Sequence, residues 1–556
     1  MAFYRNFCLP FPGTETSMKP VYNPVIYSDF PDIDIVRADD AYYMVTTTMY
    51  FMPGGDLLRS YDLLHWEFVT HIFDSLEDND AHHLVNGANI YSQGMWAPSF
   101  RYHKGCFYLV FSANDSKKTY LFTATNPEGP WTKRNIKDFY HDSSLFFDDD
   151  DRVYLIHGNR TIRITELESD LSAAKAGGLD RILAVDSDDF MLGYEGSHMY
   201  KMNGLYYLFN IHWPKENSKR RAEVCQISDS LEGEFTCHTI IDDDMGFHNC
   251  GIAQGGIVDT PDGDWYVFMF RDSGAVGRCP VILPMHFENN IPVVGIPLDE
   301  VSAEEKAEHL SDPYRCNLYL PRSLTTKSTR PDYIYSPLNG DDDFSYLPEA
   351  DGSVKLKPYW QFNHLPDYNT ISFTERKNAY RIRTDVLAPS FILAKNALTQ
   401  RMMAPKSAAT VTLDASNINN GDYAAFCALQ GTYGLVAVTK RNDQFFLVMQ
   451  AYVQGFENGR PVKDFAKAPE EYACIPLSSP VVTLRIDVDF TDRTDKANFS
   501  YATEDAPDTF LPIGQTHQLY FRLDHFTGCR FALGYFSTEQ TGGHADFMNF
   551  KYIFNA

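Results

Sequence analysis

The chain has 556 residues, 44% of them hydrophobic and 22% charged, with a formal net charge of −26. That length and balance describe a globular protein of two large domains rather than one small core. The acidity disfavours nucleic acid and anionic membranes as partners, and no run of ~18 apolar residues is present to span a bilayer. A neutral oligosaccharide remains compatible. Aromatic residues reach 14%, with 34 Tyr and 40 Phe, which favours strands.

In chain order, Met1 to Pro20 shows no basic segment followed by an apolar run. The sequence therefore reads as cytoplasmic, or as periplasmic or secreted if a leader has been removed. An aromatic strand then recurs five times, at Ala41–Val45, Gly105–Leu109, Arg152–Ile156, Gly204–Leu208 and Asp264–Phe268. Each follows a polar turn: Ala38-Asp39-Asp40, His103-Lys104-Gly105, Asp148 to Asp151, Met202-Asn203-Gly204 and Pro261-Asp262-Gly263. A strand, a tight polar turn and an aromatic strand make a hairpin. The copies lie about 45 to 65 residues apart, the length of a four-stranded blade, so five copies predict a five-bladed β-propeller. One short helix is expected around Ser302 to His309. Pro313, Pro321, Pro331 and Pro337 then punctuate a boundary. The predicted division is a propeller over 1–312, a linker over 313–337 and a second domain over 338–556. In that domain short apolar strands alternate with turns such as Asn420-Gly421-Asp422 and Thr541-Gly542-Gly543, the pattern of a β-sandwich. The fold class is thus all-β. The ten cysteines form no CxxC pair and no zinc spacing, and read as buried free thiols of a reducing compartment.

Counting back roughly eleven or twelve residues from each repeat tyrosine reaches one structural slot, just before the strand expected to line the channel. The slot holds Asp32, Trp96, Asp142, Glu195 and Gln254. A lone acid at a strand start is more often solvated than reactive. Three acids at one repeat phase predict three carboxylates converging on one axis. Cleaving a glycosidic bond needs one carboxylic acid to protonate the leaving oxygen and one carboxylate to activate water or attack carbon. A third acid nearby would raise the pKa of the first. A metal site would call for His or more oxygen ligands where Trp96 and Gln254 stand. Trp96 suits stacking on a sugar ring, although core packing is the default for a lone Trp. No HExxH, P-loop, GxGxxG after a strand or GxSxG elbow is evident.

At these residues the sequence resembles glycoside hydrolase family 43, the β-xylosidase and α-L-arabinofuranosidase group. The matching segments include Phe30-Pro31-Asp32-Ile33-Asp34, Met95-Trp96-Ala97-Pro98, His141-Asp142-Ser143-Ser144, Tyr194-Glu195-Gly196-Ser197, Ala253-Gln254-Gly255-Gly256 and Gly274-Ala275-Val276-Gly277-Arg278. The resemblance implies Asp32 as general base, Glu195 as general acid and Asp142 as the residue that raises the acid's pKa and orients it. It implies Arg278 facing the sugar and its carboxylates. It also implies an inverting reaction, with the main carboxyls roughly 6.5–9.5 Å apart. Tyr359-Trp360-Gln361-Phe362-Asn363-His364 and Ala545-Asp546-Phe547 resemble the C-terminal sandwich, of concanavalin-like jelly-roll type, of the two-domain members. There a Phe from the sandwich closes the site, and Phe526 matches it.

Departures from the pattern matter. Ile33 follows Asp32 where members often carry Pro, and Asp34 sits two residues on. If the segment is a regular strand, Asp32 and Asp34 point the same way and Asp34 is an alternative base. Asp151 replaces a turn Gly. Met49 replaces a Phe beside the sugar, so the pocket differs and arabinose preference fits. Many relatives carry His at Gln254, some beside a calcium ion; Gln254 argues against that ion, and no cofactor is required. Expected function is exo-acting release of L-arabinofuranose and/or D-xylose from arabinoxylan or xylo-oligosaccharide ends. Two rivals are a non-catalytic carbohydrate-binding propeller and a retaining, fructan-cleaving enzyme. Two-domain relatives frequently self-associate, so a homo-oligomer is open.

Overall fold

The computed structural model describes residues 21–555, apart from 188, 216–219, 312–317, 454, 458–459, 462–463 and 466. Cys8, Cys316 and the expected boundary at 312/313 lie outside the described residues.

Five four-stranded antiparallel sheets follow one another along the first half of the chain. Their innermost strands are Asp34–Ala38, Ser99–His103, Ser144–Phe147, Phe190–Met202 and Ile252–Asp259. The repeated aromatic strands are the second strand of each blade: Ala41–Thr46, Cys106–Ala113, Val153–His157, Leu205–Pro214 and Trp265–Asp272. The polar turns between them supply left-handed residues, namely Asp39, Lys104, Asp151, Asn203 and Gly263, as tight hairpin turns require. The aromatics fill the space between blades; Tyr42, Tyr154, Tyr207 and Phe268 are fully buried.

Among the described residues every blade is built from its own stretch of chain, and no strand is shared to close the ring. Closure comes instead from a strap before blade one. Asn23 Nδ2 donates to the carbonyls of Ile282 and Pro321 (2.8 and 3.0 Å), and its Oδ1 accepts from Ile282 N (3.0 Å). Val21–Tyr22 pairs with Ser323–Leu324. Arg37 of blade one bridges Asp259 of blade five at 2.6 Å.

Below the pocket described next, all five innermost strands converge on a buried ion pair. Asp34 of blade one accepts from Phe100 N (2.6 Å) and from Arg101 Nη1, and His198 of blade four approaches it at 3.4 Å. Arg101 also donates to Leu145 O and Ser144 Oγ of blade three (3.0 and 3.1 Å) and lies 5.1 Å over the ring of Tyr200. A Cβ on Gly256 of blade five would stand 2.7 Å from Asp34 Oδ1. Burial alone would raise the Asp34 pKa, but Arg101 and His198 hold it below the usual carboxylate range. Removing one partner of a buried pair strands the other charge. Arg101→Leu should therefore lower stability by about 3–5 kcal/mol, read as an earlier midpoint in chemical denaturation.

The expected helix spans Ala303–Leu310, with Ser302 and Glu305 forming a capping box. The Pro-punctuated segment runs along the propeller: Leu318–Tyr319 pairs with Ile296–Pro297, and Tyr61 N donates to Tyr335 Oη (2.8 Å). Two large sheets then make the sandwich. The strand Val481–Asp489 buries every second residue, so Val482, Leu484, Ile486 and Val488 meet Phe426, Phe531 and Phe547 in the core. The first sheet runs through Gln361–Asn363 and ends on Phe51–Met52, a strand that blade one supplies. Behind that seam Arg401 bridges Asp56 at 2.6 Å. Burial would raise the Asp56 carboxyl, but Arg401 and His71 hold it at about 2.

The eight described cysteines are free, and four of them, Cys225, Cys279, Cys427 and Cys529, are buried. Cys106 and Cys250 are half-buried. Cys237 and Cys474 are exposed, against expectation. Both sit in the outermost strand of a sheet, Thr236–Ile241 and Glu470–Pro476, where an apolar-looking run has no neighbour on one side.

Candidate active site

One pocket at the end of the propeller axis is lined by Asp32, Met49, Trp96, Asp142, Glu195, Gln254, Arg278 and Phe526. These are the residues given catalytic or sugar-binding roles from the sequence, brought together from five blades and the sandwich; the alternative base Asp34 is not among them. About 400 Å³ of space lies between these side chains when the open mouth is counted with it.

The shared slot breaks the regular strand: it lies just before the innermost strand in blades one, two and three, and at a register shift within it in blades four and five. Asp32, Asp142 and Gln254 all have left-handed backbones, with φ of 52°, 44° and 58°. Glu195 lies between two register shifts and precedes Gly196, whose φ is 59°. Each kink turns a side chain off the sheet face toward the axis. A left-handed non-glycine residue costs about 1–2 kcal/mol, and such strain gathers at functional sites. At Gly196 a Cβ would stand 2.6 Å from the Gln254 side chain, so glycine is required there for approach as well as for φ.

The kink also removes the alternative base. Because Asp32 is left-handed, it and Asp34 do not alternate as in a regular strand. Asp34 turns to the ion pair below, is fully buried, and does not line the pocket.

Arg278 Nη1 donates to both oxygens of Asp32 (2.8 and 3.0 Å). Burial pushes the Asp32 carboxyl up, and Arg278 draws it back. Arg278 Nη2 donates to Phe526 O (3.3 Å), and its guanidinium lies 4.4 Å from the Phe526 ring. Asp29 ties the two together: Oδ1 accepts from Arg278 N (2.8 Å) and Oδ2 from Gly528 N (2.7 Å). Phe526 itself is left-handed, with φ of 61°. The sandwich loop is thus clamped to the propeller at the pocket wall.

Asp142 is buried, and its pKa is raised to about 7 by that burial and by Glu195 and Asp32, against the pull of His141. Glu195 accepts from Asn159 Nδ2. His141 Nε2 stands 3.7 Å from Asp142 and 3.8 Å from Glu195. The ligand-type atoms of these three residues lie within 4.8 Å of one another, near enough to hold a cation. Asn159 already occupies Glu195 Oε2, and this trio belongs to the carboxyl pair of the pocket. The residues present do not fit the calcium that the resemblance raises: Arg101, already a cation, stands among the innermost strands and engages Asp34 there.

Sequence reasoning missed His141, Asn159, Arg221, Leu192, Ile211 and Phe270. Of these, His141 carried a signal, standing inside a quoted segment beside Asp142. Asn159 and Arg221 come from outer strands or loops with no fixed phase to the repeat. Glu223, also missed, lies fully buried behind the pocket and accepts from Gln254 N (2.9 Å). Burial raises its pKa to about 8. A carboxyl raised on folding adds stability fully below its unfolded pKa and loses it as pH rises through the folded value. Glu223→Gln should therefore make the protein more stable around pH 8 and above and change little below pH 5, measured by thermal denaturation across pH.

Residues 21–292 match the family model of glycosyl hydrolases family 43, and residues 352–553 match that of the beta xylosidase C-terminal concanavalin A-like domain. A beta-xylosidase of Formosa agariphila is 23% identical, over 96% of this chain and 90% of its own. A non-reducing end alpha-L-arabinofuranosidase of Bacteroides ovatus is 27% identical over 45% of this chain and 47% of its own. Among solved structures, a bifunctional GH43-CE protein of Bacteroides eggerthii superposes with a TM-score of 0.82 at 35% identity, covering 96% of this chain. The present chain spans 64% of that longer one. An engineered GH43 glycoside hydrolase gives 0.78 at 25% identity, over 96% of this chain and 99% of its own. Blades and sandwich agree with these matches, and the chain belongs to glycosyl hydrolase family 43.

Proposed function

We propose that the protein is an exo-acting, inverting glycoside hydrolase that frees L-arabinofuranose and/or D-xylose from the ends of arabinoxylan or xylo-oligosaccharides. The carrying observation is that carboxyls from blades one, three and four line one pocket walled by the sandwich residue Phe526. A pocket walled in this way favours a chain end over a chain interior. The names of the relatives support the sugars: one is a beta-xylosidase, one an alpha-L-arabinofuranosidase, and the engineered enzyme displays both endo-xylanase and exo-arabinofuranosidase activity.

In this reading Asp32 takes a proton from water as the water attacks the anomeric carbon. Glu195 gives its proton to the leaving oxygen. Asp142, crowded against Glu195, makes the pair retain a proton that two isolated carboxyls would lose. Arg278 holds Asp32 in place and faces the sugar. Trp96, Met49, Gln254 and Phe526 shape the glycone pocket. Since Asp142 is raised to about 7, kcat/KM should fall as pH climbs past that value and the pair gives up its shared proton. No step uses a metal, so turnover should survive exhaustive treatment with EDTA.

The reading is tested by rates on nitrophenyl xyloside and arabinofuranoside measured side by side, with product analysis on linear xylo-oligosaccharides and arabinoxylan. Release of single pentoses from the first time points is expected. Early accumulation of mid-length fragments would refute exo action.

A further inference from the structure

His141 is the third member of the acid cluster, and the roles proposed above give it no work. It stands directly before Asp142 in sequence, and its Nε2 reaches both Asp142 (3.7 Å) and Glu195 (3.8 Å). The edge of Trp96 packs against its ring, with centroids 5.5 Å apart. Its backbone carbonyl accepts from Gly158 N (2.9 Å), in the turn whose next residue, Asn159, donates to Glu195 and whose Arg160 N bonds Tyr194 O (2.7 Å). The imidazole is therefore fixed between blades three and four. Its side chain is 26% exposed, so it exchanges protons with solvent.

We propose that His141 is a cationic positioning residue that sets how tightly Asp142 and Glu195 hold their shared proton, and so places the alkaline limit of turnover. The inference deepens the acid–base reading and rests on Glu195 being the general acid.

Charge around the imidazole has a clear sign. Asp142 faces it from its own segment and Glu195 from blade four. Lys117 of blade two and His157 of blade three are the nearby basic groups, and Asn159 and Trp96 are neutral. Burial opposes the imidazolium, but the two carboxyls outweigh it and raise His141 above its ordinary value. An imidazolium beside two carboxyls favours their ionised form. It makes the pair release its proton at lower pH than the carboxyls would alone.

The test is the pH profile of kcat/KM on an unactivated xylo-oligosaccharide for wild type, His141→Gln and His141→Arg. Gln removes the charge, so the alkaline limb should move up by about one unit or more. Arg keeps a charge that no longer titrates, so its limb should lie at or below that of wild type. Should His141→Gln fail to fold, His141→Asn serves the same purpose. A purely structural role lowers kcat in these variants with all limbs coincident, and that result overturns the proposal. Glu195→Gln is measured in parallel. If it is inactive while the His141 limbs coincide, the histidine proposal alone fails. If it turns over like wild type, the acid assignment fails and takes the proposal with it.

Discussion

Glu195→Ala should cut kcat/KM on xylobiose or another unactivated glycoside by about 10²–10⁴-fold, yet far less on a dinitrophenyl glycoside. A phenolate of low pKa departs without a proton, so an activated substrate bypasses the missing acid. The structure favours Glu195 for this role over its neighbours. Its side chain is 19% exposed, against 7% for Asp32 and 6% for Asp142. A general acid must be reprotonated after each turnover, which suits the most open of the three. Because Glu195 is part-exposed, its removal strands no buried charge. The variant should therefore denature near the wild-type temperature. Equal losses on both substrates would reassign the acid.

Asp32→Asn should lose activity by a comparable factor, about 10²–10⁴-fold, but evenly across leaving groups. Water activation is needed whatever departs. The amide still offers an oxygen to Arg278 Nη1, so the buried guanidinium keeps a partner. Asp32→Ala is the less informative change, since it leaves Arg278 uncompensated and mixes lost stability with lost chemistry. The two variants together separate base from acid: one profile is flat with leaving-group pKa and the other is steep. Kinetics on a series of substituted phenyl glycosides read both.

Much of this site was legible because propeller blades repeat. A periodic aromatic strand marks a fixed place in each blade, so counting back from it finds the residues at the axis. Asp32, Trp96, Asp142, Glu195 and Gln254 share a pocket for that reason. Counting could not supply backbone handedness. The left-handed turn at Asp32 separates it from Asp34, which a strand's alternation would have put beside it. Nor could it see Asn159, which arrives from a turn between outer strands, or Glu223, whose role depends on burial behind the pocket. Closure of the ring by Asn23 was equally hidden, since one asparagine carries no periodic signal. The exposed Cys237 and Cys474 show the same limit: an edge strand and an inner strand look alike in sequence.

Stereochemistry of the first-formed sugar tests the central claim most directly, because in the proposed roles a water activated by Asp32 attacks from the face opposite the bond that Glu195 protonates. Proton NMR of a concentrated enzyme digest, recorded before mutarotation, reports the anomer at once. An initial signal of opposite configuration to the substrate is the predicted result. An initial signal of the same configuration would mean a covalent sugar intermediate, and would contradict the assignment of Asp32 as a base acting through water.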